Sequence, residues 1–226
     1  MEHYEVSRRS SVVKEVLAGA SKATGMKALG VYSDCNGFAI ASKKPINSLA
    51  DAKGVKLRAM QNPLFIDIYE AFGFTVTPTD WGELYTSLQT GMVVAADLGV
   101  YCNDIFKMNE VVNSYAILNQ MWTQKILFIS PKVWDKLTAK QQTIVTNAAD
   151  EAIELTDAWQ YAREAQFIEK VKGIKGQTIT YPDKAEFKKS AESVYTKWFA
   201  KKPNWKAWYE QIQYLDPNAR LPKAFK

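Results

Sequence analysis

Apolar and polar positions along the chain keep changing between a helical and a strand rhythm. Residues 11–24, "SVVKEVLAGASKAT", carry apolar side chains three and four apart and run into Gly25, which predicts a helix with a glycine stop. Two shorter apolar runs, "MKALGVYS" and "GFAIASK", flank the turn signal Asn36-Gly37 and are predicted as strands. "SLADAKG" is a short helix with Ser48 as N-cap and Gly54 as its stop, followed by the strand "VKLRAM" and the helix "PLFIDIYEAFG", whose Pro63 sits in the first turn. The strand "FTVTPT" comes next, then the helix "WGELYTSLQTG" capped by Asp80, then "VVAADLG", a nearly continuous apolar run of the kind buried parallel strands show. Strands at "KILFISP" and "GQTITYP", a helix over 183–199 and an aromatic helix, "NWKAWYEQIQYLD", complete the reading.

From Thr138 to about Lys172 there is neither Pro nor Gly, and Val145, Ala148, Ala152, Leu155, Trp159 and Ala162 recur at helical spacing. One helix of about 35 residues is predicted, against an average of about 12, with that stripe as its buried face. A helix of this length outlasts one small domain. Alternating short βα units imply an α/β fold with right-handed crossovers, and the long helix serves two lobes.

Composition narrows the function. The chain has 226 residues, 47% hydrophobic and 23% charged, enough to bury a core in one large or two small domains. The net charge of +5, from 29 basic and 24 acidic residues, is spread except in "KKSAESVYTKWFAKKPNWK". Those lysines fit the wet face of an amphipathic helix better than a nucleic-acid surface, so no nucleic-acid partner is expected. Trp205, Trp208, Tyr209 and Tyr214 are assigned to covering a core or a partner. No run reaches the roughly 18 apolar residues of a membrane span, and Lys14 and Glu15 interrupt the opening segment, which does not read as a signal peptide.

Catalytic chemistry finds little support. The single histidine, His3, is near the terminus, so Ser-His-Asp and Cys-His systems lack a positioned imidazole. Cys35 and Cys102 form no metal-ligand cluster; they are either one bridge or two buried thiols. Neither GxGxxG nor GxxxxGK[ST] occurs, and Asp67 with Glu70 or Asp150 with Glu154 read as wet helix faces. No cofactor and no metal are expected.

One arginine stands out. In "GVKLRAMQNPLFIDIYEAFG", Arg58 closes a short strand just before the Pro63 helix. The longer run "KGVKLRAMQNPLFIDIYEAFGFTVTPTDWGELYTSLQTG" resembles the periplasmic solute-binding subunits of TRAP transporters, the DctP-like proteins, with their G-x-K-[IL]-R strand and P-x-x-[WF]-x-E-[VL]-Y-x-[AS]-L-Q-x-G helix. "ISPKVWDKLTAKQQTIVTNAADEA" is similar to the family's next strand, turn and long helix, so the resemblance runs clearly from Lys27 to Ala152 and loosely beyond.

That resemblance implies a binding protein with a two-lobed periplasmic-binding-protein architecture. Lobe I would be residues 1–38 plus 124–165, and lobe II 39–123 plus 166–226, with the long helix spanning both. It implies capture of a small organic acid in an interlobe cleft, delivery to TRAP membrane permease subunits, and a periplasmic location. Arg58 takes the place of the arginine that salt-bridges the ligand carboxylate, and its planar, permanently charged fork suits two carboxylate oxygens. Trp81 fits the position whose ring packs on the ligand. "LNQMWTQK" supplies the polar candidates Gln120, Trp122, Gln124 and Lys125. The family's fuller "NGFR" is "NGFA" here, so Ala39 replaces a second arginine that Lys125 is placed to substitute, and dicarboxylates become less suitable ligands. "AADLGVYCND" matches a keto-acid-type pattern through Asp97, while Leu98 stands where an aromatic or asparagine contacts ligand, which weakens any cation role for Asp97.

Family members begin with further β and α units, so this chain is expected to be a shortened frame with lobe I incomplete, whose exposed strand edges favour self-association as a homodimer. Two other readings stay open: an enzyme using Arg58 as substrate clamp, and a non-transporting remnant or interaction protein.

Overall fold

The computed structural model describes residues 10–35, 38–121 and 123–215. In chain order the elements are α1 (Ser11–Thr24), β1 (Lys27–Cys35), β2 (Phe38–Ser42), α2 (Leu49–Ala52), β3 (Lys56–Ala59), α3 (Pro63–Ala71), β4 (Thr75–Pro78), α4 (Leu84–Thr90) and β5 (Ala95–Gly99). They continue as α5 (Cys102–Ile105), β6 (Ser114–Ala116), β7 (Thr123–Ile129), α6 (Pro131–Trp134), α7 (Ala139–Lys172), β8 (Thr178–Thr180), α8 (Lys184–Ser190), α9 (Glu192–Lys201) and α10 (Pro203–Leu215). Helices and strands alternate as the α/β reading requires. Contacts divide the chain into two compact units: Met1–Asp34, Thr123–Tyr161 and Lys202–Lys226 in the first, Cys35–Trp122 and Ala162–Lys201 in the second. The sequence reading put 203–226 with lobe II; the division puts α10 in the first unit, where it packs against α1.

Local chemistry explains most boundaries. Ser10 Oγ accepts from the Val12 amide at 3.1 Å, and Gly25, at φ +68°, closes α1 in the left-handed conformation that a side chain resists. Ser48 and Asp51 form a reciprocal capping box on α2. Asn62 caps α3 ahead of Pro63. Asp80 behaves differently from expectation. It makes no cap bond; its Oδ1 accepts from Gln61 Nε2 at 3.1 Å, and the chain enters α4 through a 3-10 turn at Trp81–Glu83. The helix expected over 183–199 is two helices, α8 and α9, which meet at Ala191.

In the first unit β1 pairs with β7 in a two-stranded sheet. Gly30 lets α7 lie close on β1, because a Cβ there would stand 2.6 Å from Ile153 Cδ1. Trp208 of α10 donates to Glu15 of α1 at 2.7 Å, in line with the covering role assigned to the aromatic helix. The stripe predicted as the buried face of α7 is displaced. Leu155 and Trp159 are 65% and 49% exposed, and Ala148, Ala152 and Ala162 are exposed, whereas Ala149, Ile153, Asp157 and Gln160 are buried. The buried face includes two polar residues. Asp157 Oδ1 accepts the Ser33 amide of β1 at 2.7 Å, so a carboxylate occupies a position that apolar periodicity assigns to solvent.

The second unit is built on a six-stranded mixed sheet in the order β4-β3-β5-β2-β6-β8. β3 runs parallel to β4 and β5, while β2 lies antiparallel between β5 and β6. β3, β4, β5 and β6 therefore all present their carboxyl ends at one edge. Period-two alternation sorts the sheet residues into two cores. Phe38, Ile40, Leu57 and Ala95 pack with Tyr69, Phe72 and Phe187 on one face; Ala39, Ala41, Ala96 and Leu98 pack with Leu84, Leu88, Phe167 and Val171 on the other. The apolar run "VVAADLG" is the buried strand expected, though its neighbours are one parallel and one antiparallel.

Among the described residues no helix is long and apolar enough to cross a membrane. Cys102 is buried, and the side chain of Cys35 lies outside the described residues.

Candidate functional site

The carboxyl edge of the parallel strands is where α/β sheets expose polar groups to ligands. Arg58 is the penultimate residue of β3, Thr79 follows the end of β4, and Asp97 lies in β5. Arg58 Nε donates to the Thr79 carbonyl at 2.9 Å, and Nη1 donates to Asp97 Oδ1 at 3.1 Å. Among the described residues Nη2 has no hydrogen-bond partner. Asp97 Oδ2 accepts from the Tyr69 hydroxyl at 3.4 Å, and that hydroxyl accepts from Gln120 Nε2 at 3.3 Å. The result is a continuous polar chain, Gln120 to Tyr69 to Asp97 to Arg58, inside an otherwise apolar wall.

Burial sets its electrostatics. Desolvation pushes the Asp97 carboxyl up to about 7, against the opposing pull of the Arg58 guanidinium. Burial also raises Tyr69 well above the ordinary phenol range, helped by the charge of Asp97, so its hydroxyl remains a neutral donor. Asp67, read from the sequence as part of a wet helix face, is held away from Arg58 by Lys197 at 2.7 Å and by the Trp198 indole at 2.7 Å.

An aromatic corner adjoins the guanidinium. The Trp81 ring centroid is 5.8 Å from Arg58 Cζ, and Phe106 meets Trp81 edge to face at 5.0 Å. Trp81 is 41% and Phe106 43% exposed, far more than rings of this size leave in water when they serve only a core. A charged fork beside two half-open rings suits an anion with a flat or partly apolar body.

Of the residues singled out in the sequence, the structure brings together Arg58, Trp81, Asp97 and Gln120. Leu98 follows Asp97 in β5 and is buried in the core that also holds Ala96, the register partner of Arg58. Gln124 and Lys125 are exposed residues of β7 in the first unit, and Trp122 lies outside the described residues. Ala39 is fully buried in a core, where a charged side chain would have no water. Sequence reading missed Tyr69, Thr79 and Phe106. Tyr69 reads as one more apolar position of an amphipathic helix, Thr79 contributes only its backbone, and Phe106 follows a helix of four residues that periodicity does not resolve. Among the described residues no group of three or more His, Cys, Asp or Glu side chains is placed to hold a metal ion.

Comparison with known proteins decides the family. Residues 1–202 match the profile of bacterial extracellular solute-binding protein, family 7, known as DctP. The chain belongs to the DctP family. It is 27% identical over 197 residues to the ectoine/5-hydroxyectoine-binding periplasmic protein UehA of Ruegeria pomeroyi, covering 84% of this chain and 57% of that protein. It is also 27% identical over 172 residues to the ectoine-binding periplasmic protein TeaA of Halomonas elongata, covering 76% of this chain and 50% of that protein. The chain thus spans about half the length of these curated relatives. Among solved structures, a TRAP periplasmic solute-binding protein of Roseobacter denitrificans with bound β-D-glucuronate superposes with a TM-score of 0.85 at 26% identity, over 94% of this chain and 70% of that one. One from Xanthobacter autotrophicus with bound β-D-galacturonate gives 0.81 at 26% identity, over 94% and 69%. The α/β class with two units and a long shared helix is therefore that of the DctP family.

Proposed function

We propose that this DctP-family chain is the substrate-binding part of a TRAP-type uptake system, working in the periplasm, where it captures a small organic carboxylate and hands it to membrane permease subunits. The observation that carries the reading is the Arg58 guanidinium, fixed by Thr79 and Asp97 at the carboxyl edge of the sheet and bordered by the half-open rings of Trp81 and Phe106. In this reading Arg58 anchors the ligand carboxylate, Trp81 and Phe106 flank its body, and Asp97 positions the guanidinium. The role is binding without turnover, as the membership of a family of solute-binding proteins supports.

The described chain offers a methyl group at position 39, where the fuller family pattern has a second arginine. A ligand with one carboxylate fits better than one that needs a cation at both ends. Relatives solved with uronic acids are of that kind.

A thermal-shift screen of the full chain against mono-, di-, keto- and sugar acids tests the proposal, run beside Arg58→Lys. A ligand that binds only the native state raises the melting temperature by mass action. A monocarboxylate is expected to stabilise the wild type, and Arg58→Lys, which keeps the charge and loses the fork, is expected to lose most of that shift. No shift with any acid, or consumption of the bound acid, overturns the reading.

A further inference from the structure

A second cavity lies in the helical layer of the same unit, bounded by α3, the segment after β6, α8 and α9. It has a volume of about 220 Å³. Ile68, Leu118 and Phe187 give it an apolar floor, and Gln120, Lys184 and Lys188 stand in its wall. Lys184 and Lys188 are four residues apart on α8, hence on one side of the helix, and both are solvent-exposed. Lys188 has no ion-pair partner among the described residues, while the charge of Lys184 acts on the Glu164 carboxyl, partly offsetting its burial. Two cations above an apolar pocket make an amphipathic arrangement.

Gln120 gives the cavity a polar wall as well. Its Nε2 is committed to Tyr69, and its Oε1 is buried without a partner. The neighbouring Asn119 turns the chain beside the cavity with a left-handed φ of +51°, which asparagine accepts more readily than most side chains. The orphaned Oε1 is an acceptor and gives an anion no hydrogen bond, so the charge of any anionic occupant falls to the two lysines.

We infer that this cavity is a second small-molecule site, distinct from the Arg58 corner, which takes a compact organic monoanion with a branched aliphatic body. The carboxylate meets Lys184 and Lys188, and the aliphatic part fills the space over Ile68, Leu118 and Phe187. The volume lies below the roughly 300–1,000 Å³ of clefts for drug-sized ligands, so the occupant is small. The inference stands independently of the role given to Arg58.

The test is a methyl-detected NMR titration of the full chain with 4-methylpentanoate, with its neutral amide as control. Saturable shifts are expected at the methyl groups of Ile68, Leu118 and Ala191, which line the cavity. The double substitution Lys184→Gln and Lys188→Gln, on exposed positions that leave the fold alone, is expected to weaken binding at least about fivefold. Trp81→Ala, which weakens carboxylate binding at the Arg58 corner, should leave the midpoint of the shifts at Ile68, Leu118 and Ala191 unchanged. Several results overturn the inference: no saturable shift at these methyls, equal binding of the neutral amide, indifference to the lysine substitutions, or loss of the shifts in Trp81→Ala.

Discussion

Arg58 Nη1 stands 3.1 Å from Asp97 Oδ1, and neither side chain is more than 3% exposed. Two charges have been taken out of water together, and each is tolerable because of the other. Deleting one partner of such a pair typically costs about 3–5 kcal/mol, because the survivor is left as an uncompensated buried charge. Arg58→Ala is therefore expected to lose about that much stability at pH 8, where Asp97 must either carry its charge alone or take up a proton, and distinctly less at pH 5, where Asp97 already holds a proton. Urea denaturation at the two pH values measures this. Equal losses at both would mean that the pair's charges contribute nothing.

The same pair predicts how binding depends on pH. A ligand carboxylate and Asp97 compete for one guanidinium, and Asp97 titrates near 7. With Asp97 protonated, the charge of Arg58 is available to the ligand; with Asp97 ionised, the arriving anion meets a like charge. Affinity for a carboxylate should weaken as pH rises from 6 to 8, by at most about tenfold per unit, the limit for one linked proton. Calorimetry in buffers of different ionisation enthalpy should record proton uptake on binding at pH 7.5. Asp97→Asn should bind with no proton uptake; an unchanged uptake would assign the proton to another group.

Trp81 and Phe106 are open enough to be changed without disturbing a core. Trp81→Ala is expected to move the melting temperature of the free protein little, and to weaken the carboxylate ligand about tenfold, roughly 1.4 kcal/mol, within the range of one aromatic contact. Trp81→Phe should recover much of that. If the alanine variant binds as tightly as wild type, the ring is a surface feature and the ligand's body lies elsewhere.

What the sequence made legible follows from the physics of each signal. The helices with glycine or proline punctuation and the buried strand around Asp97 could be read because local backbone preferences and tertiary burial agree there. Arg58 could be placed because its motif is local. The register of α7 could not, since Asp157 and Gln160 are buried polar residues, and the partner of Asp157, Ser33, lies 124 positions away. The Tyr69–Asp97 contact, 28 positions apart, was hidden for the same reason: a tyrosine on an apolar helix face looks the same whether or not its hydroxyl is used. Leu98 is legible only by its place in a motif, and strand alternation seats it with Ala96 in the opposite core from Ala95.

Asp157 provides a check in the first unit that involves no ligand. Its Oδ1 accepts the Ser33 amide at 2.7 Å, its Oδ2 is buried without a partner, and burial raises its carboxyl from 3.8 to about 6. The folded state then binds more protons than the unfolded state between those values, so this group makes stability fall as pH rises from about 4 to about 6. Asparagine keeps the acceptor for Ser33 and removes the charge, at the cost of burying an amide in place of the orphaned oxygen. Relative to wild type, Asp157→Asn should gain stability across that interval, by no more than about 3 kcal/mol for a displacement of two pK units, and level off above it. Melting curves at pH 4.5 and 7.5 give the comparison directly: a difference between variant and wild type that stays constant would show that Asp157 titrates normally, and that its hold on β1 comes from the hydrogen bond alone.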